Sequence, residues 1–347
     1  MTIASPPAAA SVEQPAAGAP APAPASSDRR GAIAPPRTAA IIGLGSYLPD
    51  GVLTSDAVAR RLGVDEDWIV KRTGIRERRR AAPSQRTSDL ATAAARRALD
   101  DAGLTPADVD LVLVATMSQD EVTPNTAPLV AHALGAVHAG AFDVGAACTG
   151  WLAALAQAAA LVETGRAGRV LVVGADTLTR MTDFDDPMVA PLFGDGAGAV
   201  VVGPEGEGSI GPVALAADGG LGGVITAGVD DRTLRMDGTS TFKIAVARLS
   251  EWIVKAADAA GWELADVDLF VPHQANGRII SAVAARLGAD PAKVADYVAL
   301  TGNTSAASIP IALSLARADG RLRPGHKVVV AAVGAGFTWG AGALTWG

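Results

Sequence analysis

Short apolar runs alternate with helical stretches along most of this chain. Around residues 110–115, 169–174, 268–272 and 327–332 the apolar residues are consecutive. Such runs predict strands covered on both faces. Apolar positions recur at helical spacing over 87–102 and 241–260, each ending near a glycine. Residues 148–164 and 304–318 are apolar nearly all round, which predicts buried helices. Strands separated by helices imply βα crossovers and a mostly parallel sheet. Residues 144–162 carry no charge, yet they include Gly145, Thr149, Gly150 and Gln157 and are otherwise rich in Ala. That composition drives membrane insertion weakly, so the stretch reads as the buried centre of a soluble fold.

The pattern occurs twice. Ala107-Asp108-Val109-Asp110-Leu111 recurs as Ala265-Asp266-Val267-Asp268-Leu269, an offset of 158 residues. The same offset lays Arg169-Val170-Leu171-Val172-Val173 over Lys327-Val328-Val329-Val330-Ala331, and the helix starting near Cys148 over one starting near Ala306. Several separated segments sharing one ungapped offset mark an internal duplication. The expectation is an α/β protein of two similar halves, 38–204 and 205–347, related by a pseudo-twofold axis in a layered double domain. Equivalent element ends then meet near the axis, where α/β proteins place their sites.

Composition removes several functions. Net charge is −7, against general nucleic-acid binding. Cys148 is the single cysteine, so an intramolecular disulfide and a cysteine-rich metal site are excluded, and a reducing cytoplasm is the natural compartment. His132, His138, His273 and His326 lack metal-ligand spacing, so no metal is expected. Residues 1–37 are largely Ala, Pro and Ser with no apolar periodicity, which predicts a disordered tail. The tail lacks the apolar stretch of a secretory signal.

Three segments carry candidate chemistry. Residues 143–150, with Cys148, read as strand, tight turn and helix start. A thiol at a helix N-terminus feels the positive end of the dipole, which favours thiolate. The competing reading is a buried, inert cysteine. His273 closes an apolar strand and is followed by Gln274-Ala275-Asn276. Gly302-Asn303-Thr304-Ser305-Ala306 reads first as a helix start capped by Thr304 or Ser305. On duplicated halves, these three places converge on one site.

Taken in order, six segments resemble β-ketoacyl-acyl-carrier-protein synthase III, a family of thiolase-fold condensing enzymes. They are residues 68–78 (beginning Trp68-Ile69-Val70), the Cys148 segment, Leu192-Phe193-Gly194-Asp195-Gly196-Ala197-Gly198-Ala199, His273-Gln274-Ala275-Asn276, Gly302-Asn303-Thr304-Ser305-Ala306-Ala307-Ser308 and Gly336-Phe337-Thr338-Trp339-Gly340. The resemblance spans residues 38–347 and implies a thiolase-like fold. It implies a Cys148, His273 and Asn303 triad, with backbone N–H groups of Cys148 and Ala335 as an oxyanion hole. It further implies contacts of Trp68, Arg72 and Asn276 with coenzyme A, and an acyl pocket shaped by Thr123 and Val333. Lys243, Arg278 and Arg286 would dock an acyl carrier protein. The implied substrates are acyl-CoA and malonyl-carrier-protein thioesters, with no other cofactor, and the implied assembly is a homodimer.

Other readings are weaker. Gly43-Leu44-Gly45 lacks the third glycine of a dinucleotide loop, since position 48 is Leu48. Gly194-Asp195-Gly196-Ala197-Gly198 lacks the Lys-Ser/Thr of a phosphate loop and reads as a structural turn. A thiolase proper would need a second catalytic cysteine. An inactive partner subunit would not need the intact triad. Residues Asp186-Pro187-Met188-Val189 depart from the family's adenine-contacting segment, which leaves room for a starter-unit synthase of polyketide metabolism.

Overall fold

The computed structural model describes residues 37–347, so the expected disordered tail lies, Arg37 apart, outside the described residues. Up to residue 203 the elements are β1 (Ala40–Tyr47), β2 (Gly51–Thr54), α1 (Ser55–Leu62), α2 (Glu66–Thr73), β3 (Glu77–Arg80), α3 (Thr87–Asp101), β4 (Leu111–Ala115), α4 (Thr126–Leu134), β5 (Gly140–Val144), α5 (Gly150–Glu163), β6 (Val170–Thr177) and β7 (Asp195–Gly203). From residue 209 they are β8 (Ser209–Ala217), β9 (Ile225–Ala227), β10 (Leu234–Met236), α6 (Gly238–Ala259), β11 (Leu269–Pro272), α7 (Gly277–Leu287), α8 (Val298–Thr301), α9 (Ser308–Ala318), β12 (Lys327–Gly334) and β13 (Thr338–Thr345).

Two sheets form the frame, in the orders β1-β7-β6-β4-β5 and β8-β13-β12-β11. The orders match strand for strand. Where the second sheet lacks a fifth strand, Val294 makes a single parallel bridge to Phe270. Registers match as well: Val114 pairs Val173 in the first sheet, and Pro272 pairs Ala331 in the second, both displaced by 158.

The sheets are mixed: in each, one strand runs against all the others, which share one direction. Strands β4, β5 and β6 run parallel, as do β11 and β12. Strand β7 returns antiparallel between β6 and β1, and β13 between β12 and β8. A parallel neighbour needs a crossover helix, and neither β6–β7 nor β12–β13 contains one. The apolar runs identified β4, β6, β11 and β12 but not this reversal. Both reversed strands are buried on both faces, although the sequence reading placed no strand at 338–345 and read 194–198 as a turn.

Helices α5 and α9 lie between the sheets. Their side chains, among them Trp151, Leu152, Leu155, Ile309 and Leu313, share one core with Val172 and Val200 of the first sheet and Val328 and Val330 of the second. Helices α3 and α4 cover the outer face of the first sheet, and α6 and α7 that of the second. Five layers result. Each fully buried large side chain in the middle layer contributes about 1.5–3 kcal/mol. No described helix is long and apolar enough to cross a membrane.

The starts of the two central helices differ in detail from the sequence reading. Each is preceded by a tight 3-10 turn, Ala147–Thr149 before α5 and Ser305–Ala307 before α9. Cys148 therefore lies in a turn, one step before the helix. No Thr304 or Ser305 side chain caps α9. Gly43 to Gly45 fall inside β1, and the expected turn at 194–198 is instead the start of β7, because two-sided burial favours the extended ladder there.

The turn at 305–307 packs on β6 so closely that a β-carbon at Gly174 would lie 2.3 Å from the Ala306 carbonyl oxygen. We predict that Gly174→Ala lowers unfolding stability by about 1–3 kcal/mol through overpacking against backbone. The urea midpoint measures this, and an unchanged midpoint would show that the turn can move away.

Candidate active site

Cys148, His273 and Asn303 reach one cavity from three directions. Cys148 comes from the turn before α5, His273 from just beyond the end of β11, and Asn303 from the stretch between α8 and the turn before α9. The cavity has a volume of about 490 Å³. Its walls are mostly apolar, with Leu178, Phe193, Leu234 and Phe337 among them.

Burial governs the electrostatics. His273 is 1% exposed, and desolvation of the charged ring pushes its pKa down to about 3, so the imidazole is neutral. Its Nδ1 lies 2.6 Å from Ser308 Oγ, which leaves Nε2 for the cavity. Its backbone N–H donates to Ala331 O at 2.7 Å, fixing the residue to β12. Asn303 is 6% exposed, and its Oδ1 accepts the Ser305 N–H at 2.8 Å. That bond commits the amide oxygen and leaves the NH₂ group to donate. The Asn303 backbone is itself held, its N–H donating to Leu192 O at 2.9 Å and its carbonyl accepting from Gly194 N at 3.0 Å.

Cys148 departs from the thiolate expected at a helix start. Burial pushes its thiol up to about 12, and the Asp176 carboxylate adds to the rise. The cysteine's own N–H opposes the rise, but less strongly. The resting group is the thiol, because desolvation outweighs the local dipole. The Cys148 N–H faces β12: a β-carbon at Gly334 would stand 2.8 Å from that nitrogen.

The other expected contacts divide. Trp68, Arg72, Lys243, Asn276, Arg278, Val333 and Ala335 all line the same cavity. The Arg72 guanidinium stacks over the Trp68 ring at 4.1 Å, and Asn276 Nδ2 donates to Arg72 O at 3.4 Å. Asn276 also caps α7, accepting the Arg278 N–H at 2.8 Å. Arg286 lies outside the cavity, exposed in the last turn of α7. Thr123 is exposed and does not line this chain's cavity.

Sequence reading missed Asp176 and underused Ser308. Asp176 is fully buried and accepts from Met117 N at 2.9 Å, Ser118 Oγ at 2.8 Å, Thr116 Oγ1 at 3.0 Å and Ala306 N at 3.3 Å. A lone carboxylate within the apolar run 170–177 was the available signal. The apolar walls carried none, since nothing distinguishes a pocket-facing Leu178 or Leu234 from core. Among the described residues, no group of three or more His, Cys, Asp or Glu could hold a metal ion.

Two fused copies of one α/β unit, with reactive groups from both copies facing one largely apolar cavity, make this a condensing enzyme of the thiolase-like class. Residues 142–219 match the family model for 3-oxoacyl-[acyl-carrier-protein] synthase III, and residues 257–346 match that of its C-terminal region. A β-ketoacyl-[acyl-carrier-protein] synthase III of Caulobacter vibrioides is 46% identical over 314 residues, covering 87% of this chain and 97% of that protein. The crystal structure of the Aquifex aeolicus 3-oxoacyl-[acyl-carrier-protein] synthase III superposes with a TM-score of 0.86 at 40% identity, over 89% of this chain and all of that one. The priming β-ketosynthase of the R1128 polyketide pathway superposes at 0.87 with 39% identity, over 91% of this chain and 98% of that one. The chain belongs to the β-ketoacyl-acyl-carrier-protein synthase III family and is an acyltransferase.

The neutral His273 has a consequence for folding. Its folded pKa lies below the unfolded value of about 6.5, so the unfolded chain binds the proton more readily. The stability it contributes is present above pH 6.5 and is lost as pH falls toward 3. We predict a loss from this residue approaching about 1.4 kcal/mol per pH unit in that window. Urea unfolding at pH 7, 6 and 5 measures the slope. A His273→Ala variant with the wild-type slope would show that the ring charges without penalty.

Proposed function

We propose that the chain catalyses the decarboxylative condensation of an acyl thioester with malonyl-acyl-carrier-protein, the step that initiates fatty-acid synthesis. The observation that carries this reading is the convergence of a thiol, a neutral imidazole and an amide NH₂ on one largely apolar cavity. Cys148 attacks the donor thioester, and its proton leaves with the departing thiol. The Cys148 and Ala335 N–H groups hold the oxyanion of that step. Malonyl on the carrier protein then loses carbon dioxide. His273 Nε2–H and the Asn303 NH₂ stabilise the enolate oxygen, and the enolate carbon attacks the acyl-Cys148 carbonyl. The carbon–sulfur bond breaks, the β-ketoacyl product leaves on the carrier, and the thiolate regains a proton. A covalent intermediate of this kind gives ping-pong kinetics.

A neutral histidine suits this chemistry because the enolate needs hydrogen-bond donors, which the ring supplies without a desolvated charge. Coenzyme A and carrier-protein thioesters are substrates, and no resident cofactor is invoked. Trp68 and Arg72 at the mouth would grip the nucleotide end of the donor. Lys243, Arg278 and Arg286 would receive the acidic carrier protein; Arg278 and Arg286 lie about 12 Å apart along α7. Such an interface is salt-sensitive and acts mainly by steering.

The chain would work as a cytoplasmic homodimer. Strand β5 is a sheet edge paired only with β4, and Phe142 on it is 41% exposed. An uncovered apolar edge strand is a pairing surface. The likeness to a polyketide priming synthase supports a second reading, in which the product starts a polyketide. Incubating the enzyme with a panel of acyl-CoAs and malonyl-carrier protein, then weighing the products, tests the function; no β-ketoacyl product from any donor would reject it.

We predict that Cys148→Ala forms no acyl-enzyme on incubation with acyl-CoA, read by intact-protein mass spectrometry. His273→Ala and Asn303→Ala should still self-acylate, while carbon dioxide release from malonyl-carrier protein falls roughly 10²–10³-fold. Normal decarboxylation in both variants would refute the assignment.

The acyl pocket gives a further expectation. Val333 in this cavity, and Thr123 if the proposed dimer turns it toward the partner's cavity, leave more room than bulky aromatic side chains would. Each additional buried substrate methylene contributes about 0.8 kcal/mol. The enzyme should therefore accept acyl groups longer than acetyl, and Thr123→Phe should shift preference toward acetyl. Relative kcat/KM over a chain-length series measures this, and strict acetyl preference in the wild type would exclude it.

A further inference from the structure

Ser308 is the first residue of α9, 2% exposed, and takes no part in the chemistry described above. Its hydroxyl touches two groups. Gln274 donates its backbone N–H to Ser308 Oγ at 3.4 Å, and His273 Nδ1 lies 2.6 Å from the same oxygen. We infer that Ser308 is a positioning residue that fixes the tautomer of His273, holding the ring proton on Nε2, where it faces the cavity. The inference rests on the function proposed above and adds to it the group that makes His273 a donor.

Hydrogen counting carries the argument. A serine hydroxyl has one proton and two lone pairs. The Gln274 N–H occupies one lone pair. If Nδ1 carried the ring proton, it would fill the second, and the hydroxyl proton would need another acceptor. Among the described residues, Ser308 Oγ has hydrogen-bond contacts only with His273 and Gln274. The hydroxyl proton would then be stranded in a buried site, the costlier outcome. If the hydroxyl instead donates to Nδ1, every group is satisfied and the neutral ring carries its proton on Nε2. The hydrogen bond made by one ring nitrogen thereby sets the state of the other. The ring is neutral because it is buried, so a tautomer choice exists to be made.

The position of Ser308 is fixed from both sides. It follows the turn in which Ser305 binds Asn303 Oδ1, so one short segment, 305–308, orients both the Asn303 amide and the His273 ring. A single turn thus aims two donors at one point.

The test is ¹⁵N NMR of the enzyme with labelled histidine side chains. The chain has four histidines, and comparison with His273→Ala identifies the relevant signals. The wild type should show a neutral Nε2–H tautomer at His273 from pH 6 to 8. Ser308→Ala should show a mixed or Nδ1–H tautomer. Its decarboxylation of malonyl-carrier protein should drop by roughly 10²-fold, as for loss of one preorganised donor. Self-acylation by acyl-CoA should be little changed. Ser308→Thr, which keeps the hydroxyl, should restore both the tautomer and the rate; it also serves as the informative variant if Ser308→Ala does not fold. A wild-type Nδ1–H tautomer overturns the inference. So does Ser308→Ala with wild-type tautomer and rate, or Ser308→Thr with the Nδ1–H form. If the tautomer is Nε2–H but His273→Ala decarboxylates normally, the function proposed above fails, and the catalytic half of this inference fails with it.

Discussion

Each half of the molecule places its own tight turn against the central strand of the other half, at backbone distance. The turn at 147–149 lies against β12, with Gly334 closest to Cys148. The turn at 305–307 lies against β6, with Gly174 closest to Ala306. Both turns hold a non-glycine residue at positive φ, Ala147 at 45° and Ser305 at 51°. These residues are displaced by 158, so the strain is part of the duplicated design. A conformation that L-residues avoid persists where the surroundings over-determine it. Here the surroundings are the other half's strand, pressed against the turn. Separate the halves and neither turn has a reason to keep its shape, nor Cys148, Asn303 and Ser308 to keep their directions.

The same packing buries the reactive groups, and burial sets the direction of their pKa shifts. Desolvation is the first cause of the low pKa at His273 and of the high pKa at Cys148. A histidine–cysteine pair in water could rest as an ion pair; here burial shifts both pKa values toward the neutral forms. A neutral thiol is a guarded nucleophile, and a neutral imidazole is a donor rather than a base. On the proposed mechanism this ordering suits the second half-reaction, where the enolate oxygen needs donors. The first half-reaction then relies on local N–H groups and on transfer of the thiol proton to the leaving group.

Much of this was legible in the sequence because the duplication kept its spacing. With an unbroken offset of 158, the main strands and helices could be laid over one another from the apolar pattern, though not the 3-10 turns that precede α5 and α9. The three converging residues followed from where those elements end. Other features left no such trace. Strands β7 and β13 left no clear run, because Gly194, Gly196 and Gly198, and Gly340 and Gly342, interrupt the apolar pattern there. The dipole argument for Cys148 rested on local position, whereas its protonation depends on burial by residues distant in sequence. Arg286 and Thr123 came from resemblance alone, and neither lines the cavity within the chain. Asp176 was visible as a carboxylate in an apolar strand, but only the fold shows what it meets.

What Asp176 meets explains why one half of a duplicated structure can hold a nucleophile and the other cannot. Residue 176 on β6 corresponds to 334 on β12, and Ala306 corresponds to Cys148, each displaced by 158. In the second turn the Ala306 N–H donates to Asp176 Oδ2 at 3.3 Å. In the first turn the Cys148 N–H faces Gly334, where even a β-carbon would stand only 2.8 Å away. The two places are equivalent by the offset, but one is filled by the Asp176 carboxyl group, whose pKa burial raises, and the other is left without a side chain. A pocket edge that binds a carboxylate oxygen in one copy is shaped to accept a negatively charged oxygen in the other. On the proposed mechanism that oxygen is the transient oxyanion at the acyl-Cys148 carbonyl. The Asp176 oxygen thus occupies, in the second turn, the place that the first turn would offer to an oxygen only during reaction. It also secures the second turn, which orients Asn303 and carries Ser308 just beyond it. Loss of one side chain and retention of the other convert a symmetric frame into a site with a reactive side and a supporting side.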